Sequence, residues 1–404
     1  MKCSRLLLLL PALAATSMVL AGPRVKTGLD MLIELDFAPI AGKRVGVITN
    51  HTGLASDGRH IVEVLSRSPK VRLSAIFTPE HGLAGTQDDP NVASGTDQAT
   101  GTPIYSLYNG GSYRPTPQML QKVDVLVYDI QDIGARFYTY ITTLGYALEE
   151  AAKAGIPFFV LDRPNPINGV AVEGPLLDTG HVSFVGYMRM PIRHGMTIGE
   201  LARMYNGEKR LGADLHVIEM QGWSRNMWLD ATGLEWVNPS PNIRNLTQAI
   251  LYPGTCLLES DQVSVGRGTD TPFQIIGAPW FKSREVANYL NGLAIPGVRF
   301  MARHFRPAAS VFKDENCQGL DIQLVNRDAL DSVRMGLELL HATMRFHPGR
   351  FDIGGVMRLL GNDDAAERLK RGETGSAVVK SYESDLDQFR KMREKYLIYN
   401  QGPQ

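Results

Sequence analysis

Three cysteines in 404 residues are too few for a disulfide framework, and Cys3, Cys256 and Cys317 lie too far apart for a zinc motif. A net charge is missing as well. Lys+Arg and Asp+Glu both number 42, so no global excess favours nucleic acid or a membrane surface, and any charge preference has to be local. Past the N-terminus no apolar run approaches the ~20 residues a bilayer span needs. The nucleotide and metal signatures are absent too. The turn after the first expected strand reads Asn50-His-Thr-Gly-Leu54 rather than G-x-G-x-x-G, and neither a G-x-x-x-x-G-K-[ST] loop nor H-E-x-x-H occurs. No cofactor or metal is therefore expected. G-x-S-x-G is lacking, and Ser310 to Lys313 is an S-x-x-K match without companion motifs.

What is present begins with a leader. Lys2 and Arg5 precede the mostly apolar Leu6–Leu20, and Ala21 offers a small residue before a cut; this is the pattern of a cleaved secretory signal. Pro23 stands where a lipoprotein signal would need cysteine. The mature chain is expected outside the cytoplasm, periplasmic or extracellular, without stable membrane insertion and without nucleic acid as partner. In an oxidising compartment Cys256 and Cys317 could pair or remain as two buried thiols.

The next 140 or so residues alternate short apolar runs with helical patterns. Expected strands are Arg44–Asn50, Val71–Thr78, Pro103–Tyr108, Val123–Ile130 and Ile156–Asp162, with a helix over Tyr140–Ala154 that stops at Gly155. Such alternation predicts an α/β fold with a parallel, Rossmann-like sheet covered on both faces. After a strand over Asp214–Met220, the Pro/Asn-rich Asn238–Asn245 is a candidate boundary. Beyond it, helices are expected over Ser283–Leu293, Asp328–Phe346 and Val378–Tyr396, and strands over Val298–His304 and Leu320–Val325. The division is thus a signal peptide at 1–21, a Rossmann-like catalytic domain at 22–246 and a smaller C-terminal α/β domain at 247–404.

Parallel sheets bind ligands beyond the carboxyl ends of their strands, and the polar residues gather there. The first strand ends in Asn50-His51, the second in Glu80-His81, the fourth in Asp129 and Asp132, the fifth in Asp162-Arg163. In Thr78-Pro-Glu-His-Gly82, proline ends the ladder because it has no N–H, and glycine permits a sharp turn. Glu80 is thereby aimed off the strand end as a candidate general acid, although a capping or ion-pairing role fits the same residue. Asp129, Asp132, Arg136, Tyr138 and Tyr140 form a run of acids, cation and aromatics suited to a sugar, whose hydroxyls take bidentate hydrogen bonds and whose faces stack on rings. An Asp132–Arg136 ion pair at i, i+4 is the plainer alternative. Arg163 and Asn165 sit in the rigid Asp162-Arg-Pro-Asn-Pro166, Asn242 ends Asn238-Pro-Ser-Pro-Asn242, and Arg267 lies between two glycines.

Six motifs recur in order: Val47-Ile-Thr-Asn-His-Thr-Gly53, Pro79-Glu-His-Gly82, Tyr128–Arg136, Asp162-Arg-Pro-Asn-Pro166, Pro239-Ser-Pro-Asn242 and Gly266–Phe273. On them the mature chain resembles the NamZ-type exo-β-N-acetylmuramidases over nearly its whole length. The resemblance implies a glycosidase that removes terminal β-linked N-acetylmuramic acid from non-reducing ends of peptidoglycan fragments, muropeptides or muramyl disaccharide, in cell-wall turnover. It implies a Rossmann-like domain with the active-site cleft against the second domain, and it places the catalytic glutamate on Glu80. Asp129 or Asp132 is then expected as base or as the group orienting the 2-acetamido substituent. Asn50, His51, His81, Arg136, Tyr138, Arg163, Asn165, Asn242 and Arg267 are expected to bind substrate, with Arg136, Arg163 or Arg267 on the lactyl carboxylate. The chain departs from the family at Ile243-Arg-Asn245, where Met-Pro-Thr is common, and at Val265, where many members carry Glu. Two other functions remain compatible with the residues, an exported muropeptide-binding protein without turnover and an amidase acting on the peptide stem.

Overall fold

The computed structural model describes residues 24–87, 91–109, 113–400 and 402. The expected signal peptide at 1–21 lies outside the described residues. Seven strands form the first sheet: β1 (Arg44–Thr49), β2 (Arg72–Thr78), β3 (Gly95–Thr96), β4 (Pro103–Ser106), β5 (Val125–Asp129), β6 (Phe158–Leu161) and β7 (Leu215–Ile218). Their order is β3-β4-β2-β1-β5-β6-β7. All neighbours are parallel except the two-residue β3, which runs antiparallel to β4 at the edge. The order reverses at β1, between β2 and β5, so the carboxyl ends of these strands flank the crevice where doubly wound sheets place ligands.

The two-residue period of a strand explains how the sheet is covered. Val45, Val47, Val125, Val127, Phe159 and Leu161 point to one face, with Leu29, Leu32, Ile61 and Leu65 of the covering helices. Ile48, Leu126, Tyr128, Phe158 and Val160 point to the other, against Ile141, Leu144 and Leu148 of the helix Tyr140–Ala154. That second core runs on without a break into the C-terminal half, through Leu251, Phe273, Leu320 and Leu340.

The C-terminal half is built on an antiparallel sheet in the order β8 (Ile275–Ala278), β10 (Cys317–Leu324), β9 (Val298–Phe305). Two helices, Leu246–Thr255 and Ser332–Phe346, cross tightly; a Cβ on Gly254 would lie 1.9 Å from the Ser332 carbonyl oxygen. Sequence reading misses the first of these helices because Pro253 lies inside it. It also joins Gly375–Ser381 to Glu383–Arg393, which Tyr382 divides. Cys256 and Cys317 are both buried and free. No helix among the described residues is long and apolar enough to cross a membrane.

The halves are joined by polar ties as well as by core. Glu173 accepts from the backbone N–H groups of Ser332 (2.9 Å) and Val333 (3.3 Å) at a helix N-terminus, and its other oxygen meets Arg193 at 2.6 Å. Asp331 caps the same helix by accepting from the Arg334 N–H at 2.8 Å. Burial, reinforced by the Glu173 charge, pushes the Asp331 carboxyl up to about 7. The protonated acid is therefore favoured by folding, and its stabilisation is complete below the unfolded value near 3.9 and lost as pH rises through about 7. Asp331→Asn keeps the cap and removes the charge. It is expected to be more stable than the parent at pH 8 by on the order of 2 kcal/mol and to lose that advantage by pH 4, as read from denaturant unfolding at the two pH values.

Candidate active site

A cavity of ≈ 760 Å³ opens between the two halves of the chain. From the parallel-sheet half it takes Glu80, His81, Tyr138, Thr139 and Tyr140, and from the other half Tyr252, Glu259, Arg267 and Arg358. Glu80 reaches it because β2 stops at Thr78 and Pro79 cannot continue the ladder. His81 (φ 70°) and Gly82 (φ 73°) then both adopt left-handed backbone, which turns the chain at once. Gly85 closes this turn, and a Cβ there would lie 1.9 Å from the His51 ring. Glu80 Oε2 accepts a hydrogen bond from the Thr139 hydroxyl at 2.5 Å, which fixes the carboxyl against the start of the helix Tyr140–Ala154. Among the described residues, Glu80 thus neither caps a helix nor pairs with a cation.

The Tyr138 ring is buried at the cavity wall and packs edge-on against Tyr140 at 5.0 Å. Its hydroxyl is buried beside Ser240 and Tyr140, and burial raises its pKa well above the usual phenol value, so it stays neutral. Asn242, buried to 8% exposure, lines the cavity beside Ser240. Opposite chemistry comes from Tyr108, Tyr113 and Phe184, whose rings cluster at centroid distances of 5.4, 5.7 and 4.3 Å and give an aromatic wall, with Tyr113 and Phe184 stacked and Tyr108 tilted against both. Arg267 also lines the cavity, but its Nε is held by Glu259 Oε1 at 2.5 Å and its guanidinium lies 5.2 Å from the Phe273 ring centre. Burial works against its charge, yet Glu259 outweighs burial and keeps the guanidinium firmly protonated.

The remaining expected site residues are elsewhere, each for a definable reason. Asp129 is wholly buried and forms an ion pair with Arg163 Nε at 2.5 Å; burial raises its pKa against that pairing. It does not line the cavity that holds Glu80, and neither does Asp132. Asp132 accepts from the Gly134 N–H at 2.8 Å and has His194 Nε2 3.6 Å away; the Asp132–Arg136 pair does not form. Neither aspartate stands beside Glu80, where a base was expected: Asp129, the last residue of β5, is buried against Arg163, and Asp132, three residues further on, faces away from the Glu80 cavity. Asp132 and Arg163 instead line a second, smaller cavity of ≈ 250 Å³ with Trp236 and Leu54.

Arg136 is a further correction. Its guanidinium is 1% exposed and donates through both terminal nitrogens to the carbonyls of Pro175, Met190, Leu359 and Leu360 at 2.8–3.1 Å, and it does not line the cavity. Burial pulls its pKa down to about 9. Asn165 is similarly spent on the Met196 carbonyl and the Ile167 N–H. Asn50 holds the Thr52 N–H and hydroxyl through Oδ1. His51 Nε2 meets the Asn238 carbonyl at 2.6 Å, and Tyr140 donates to the Pro239 carbonyl at 2.7 Å. Asn50 and His51 therefore act on the wall and not in the cavity: the tie at Asn238 and Pro239 sets the segment that separates the two cavities. Burial lowers the His51 pKa, in keeping with a neutral ring donating through Nε2.

Glu259, Arg358, Thr139 and the aromatic wall escaped sequence reading. Thr139 alone carried a signal, as the residue between Tyr138 and Tyr140 in the acid-aromatic run. Among the described residues no group of three or more His, Cys, Asp or Glu side chains could hold a metal ion. The cavity offers one carboxyl without a cationic partner among the described residues, an amide and an aromatic wall, a set that can protonate a leaving oxygen and seat a sugar ring.

Comparison with known proteins agrees with this chemistry. The family models described as exo-β-N-acetylmuramidase NamZ, N-terminal and C-terminal, match residues 45–247 and 250–399. The peptidoglycan β-N-acetylmuramidase NamZ of Bacillus subtilis (strain 168) is 44% identical over 381 residues, covering 93% of this chain and 92% of that one. Two crystal structures of DUF1343 family proteins from Bacteroides fragilis superpose with TM-scores of 0.87 and 0.76, at 39% and 29% identity. They match over 93% and 94% of this chain and 99% of each of theirs.

Proposed function

The chain belongs to the NamZ family of exo-β-N-acetylmuramidases, and from that premise we infer that it is a glycosidase releasing terminal β-linked N-acetylmuramic acid from peptidoglycan fragments. The observation that carries the reading is the position of Glu80, a carboxyl fixed by Thr139 in a sugar-sized cavity with one aromatic wall. Glu80 protonates the glycosidic oxygen as the C1–O bond breaks and the electron pair leaves with the aglycone. Glu259, the other carboxylate of the cavity, is committed to Arg267. The attack on C1 then falls to the substrate's own acetamido oxygen or to water, with the Asn242 amide placed on the cavity lining to orient the substituent. The basic and apolar residues 2–21 support export, so the substrates are wall fragments outside the cytoplasm.

Incubation with muramyl disaccharide and mass analysis of the products tests the reading. The expected products are free N-acetylmuramic acid and N-acetylglucosamine; release of a stem peptide from muropeptides would mean an amidase, and binding without turnover a receptor. Thr139→Val keeps the shape and removes the hydroxyl that holds Glu80. The expected result is a fall in kcat of roughly 10-fold with KM unchanged, since a misplaced acid costs rate rather than binding.

A further inference from the structure

Four arginines of this chain were candidates for an anionic substrate group or line the cavity, and they differ in what they already hold. Arg163 is closed on Asp129 at 2.5 Å, Arg136 on four backbone carbonyls, and Arg267 on Glu259 at 2.5 Å. Arg358 lines the same cavity as Glu80, is exposed, and among the described residues has no ion pair and no side-chain hydrogen bond.

Its backbone is nevertheless held in place. Arg358 belongs to the four-residue helix Met357–Leu360, and the last two carbonyls of that helix, of Leu359 and Leu360, each accept from Arg136 at 2.8 Å. A free guanidinium is thus set on a pinned backbone, on the wall contributed by the C-terminal half, while the acid comes from the parallel-sheet half. Arg267 is the poorer host for an anion, because Glu259 beside it would repel a second carboxylate. A guanidinium presents two parallel N–H groups that match the two oxygens of a carboxylate.

We propose that Arg358 is the specificity-determining residue that receives the lactyl carboxylate of N-acetylmuramic acid, the single charge that distinguishes this sugar from N-acetylglucosamine. The inference rests on the muramidase reading above. It makes the C-terminal half the part of the chain that selects the sugar, and the parallel-sheet half the part that cleaves.

The test compares wild type and Arg358→Met on an aryl β-N-acetylmuramide and on the same compound with its lactyl acid converted to the amide. Arg358 is exposed, so its removal leaves the fold intact. Wild type is expected to prefer the acid, and R358M to lose roughly 10- to 100-fold in kcat/KM on the acid, mainly through KM, with a clearly smaller loss on the amide, so that the preference for the acid collapses. R358M retaining the wild-type preference for acid over amide would overturn the assignment while leaving the muramidase reading in place. Failure of wild type to release sugar from either compound would sink both.

Discussion

Glu80→Gln is expected to lower kcat on muramyl disaccharide by roughly 10²–10⁴-fold, the usual contribution of a general acid. The glutamine oxygen can still accept from Thr139, so the side chain keeps its place and the melting temperature should stay within error of wild type. The loss must depend on the leaving group. A sugar hydroxyl departs only with a proton supplied, whereas a nitrophenolate departs readily without one. E80Q should therefore be far more impaired on the disaccharide than on a nitrophenyl muramide, measured side by side as kcat. Equal impairment on both would mean that Glu80 acts on C1 and not on the departing oxygen, and near-wild-type rates on both would remove it from the chemistry.

The second large effect is structural. Arg136→Met leaves the carbonyls of Pro175, Met190, Leu359 and Leu360 without a donor in a site closed to water. Buried acceptors stripped of their partners cost about 1–3 kcal/mol each, partly offset because the guanidinium no longer has to be desolvated. The expected net loss is about 3–5 kcal/mol, read from denaturant unfolding. Arg136→Lys should recover little of it, since one ammonium cannot reach two separated carbonyl pairs. The same change frees the helix Met357–Leu360, so limited proteolysis of R136M should cut near residues 357–361 before wild type is cut anywhere in that half.

The parallel sheet was legible because its strands are short apolar runs whose alternate residues face two different cores, as Val45/Val47 and Ile48 do. β8 was not, being four residues long and hidden behind the glycine-rich stretch around Arg267. At the site, Glu80, His81, Tyr138, Asn242 and Arg267 do line one cavity. Asp129, Asp132, Arg163 and Asn50 looked equivalent in sequence, since each is a polar residue at a strand end. What separates them is the direction in which each loop leaves the sheet, and that is decided by partners distant in the chain: Arg163 for Asp129, Asn238 for His51. Arg358 lies in a short helix with no pattern around it, and its significance depends wholly on Arg136, more than two hundred positions away.

The tie between His51 and the Asn238 carbonyl closes a span of 187 residues, and the wall carrying Arg358 arrives later still. Contacts so distant in sequence form late in folding. A chain emerging N-terminus first thus displays Glu80 early, as an isolated acid on an open sheet edge, and gains its cleft only once the segments around Asn238 and Arg358 have followed.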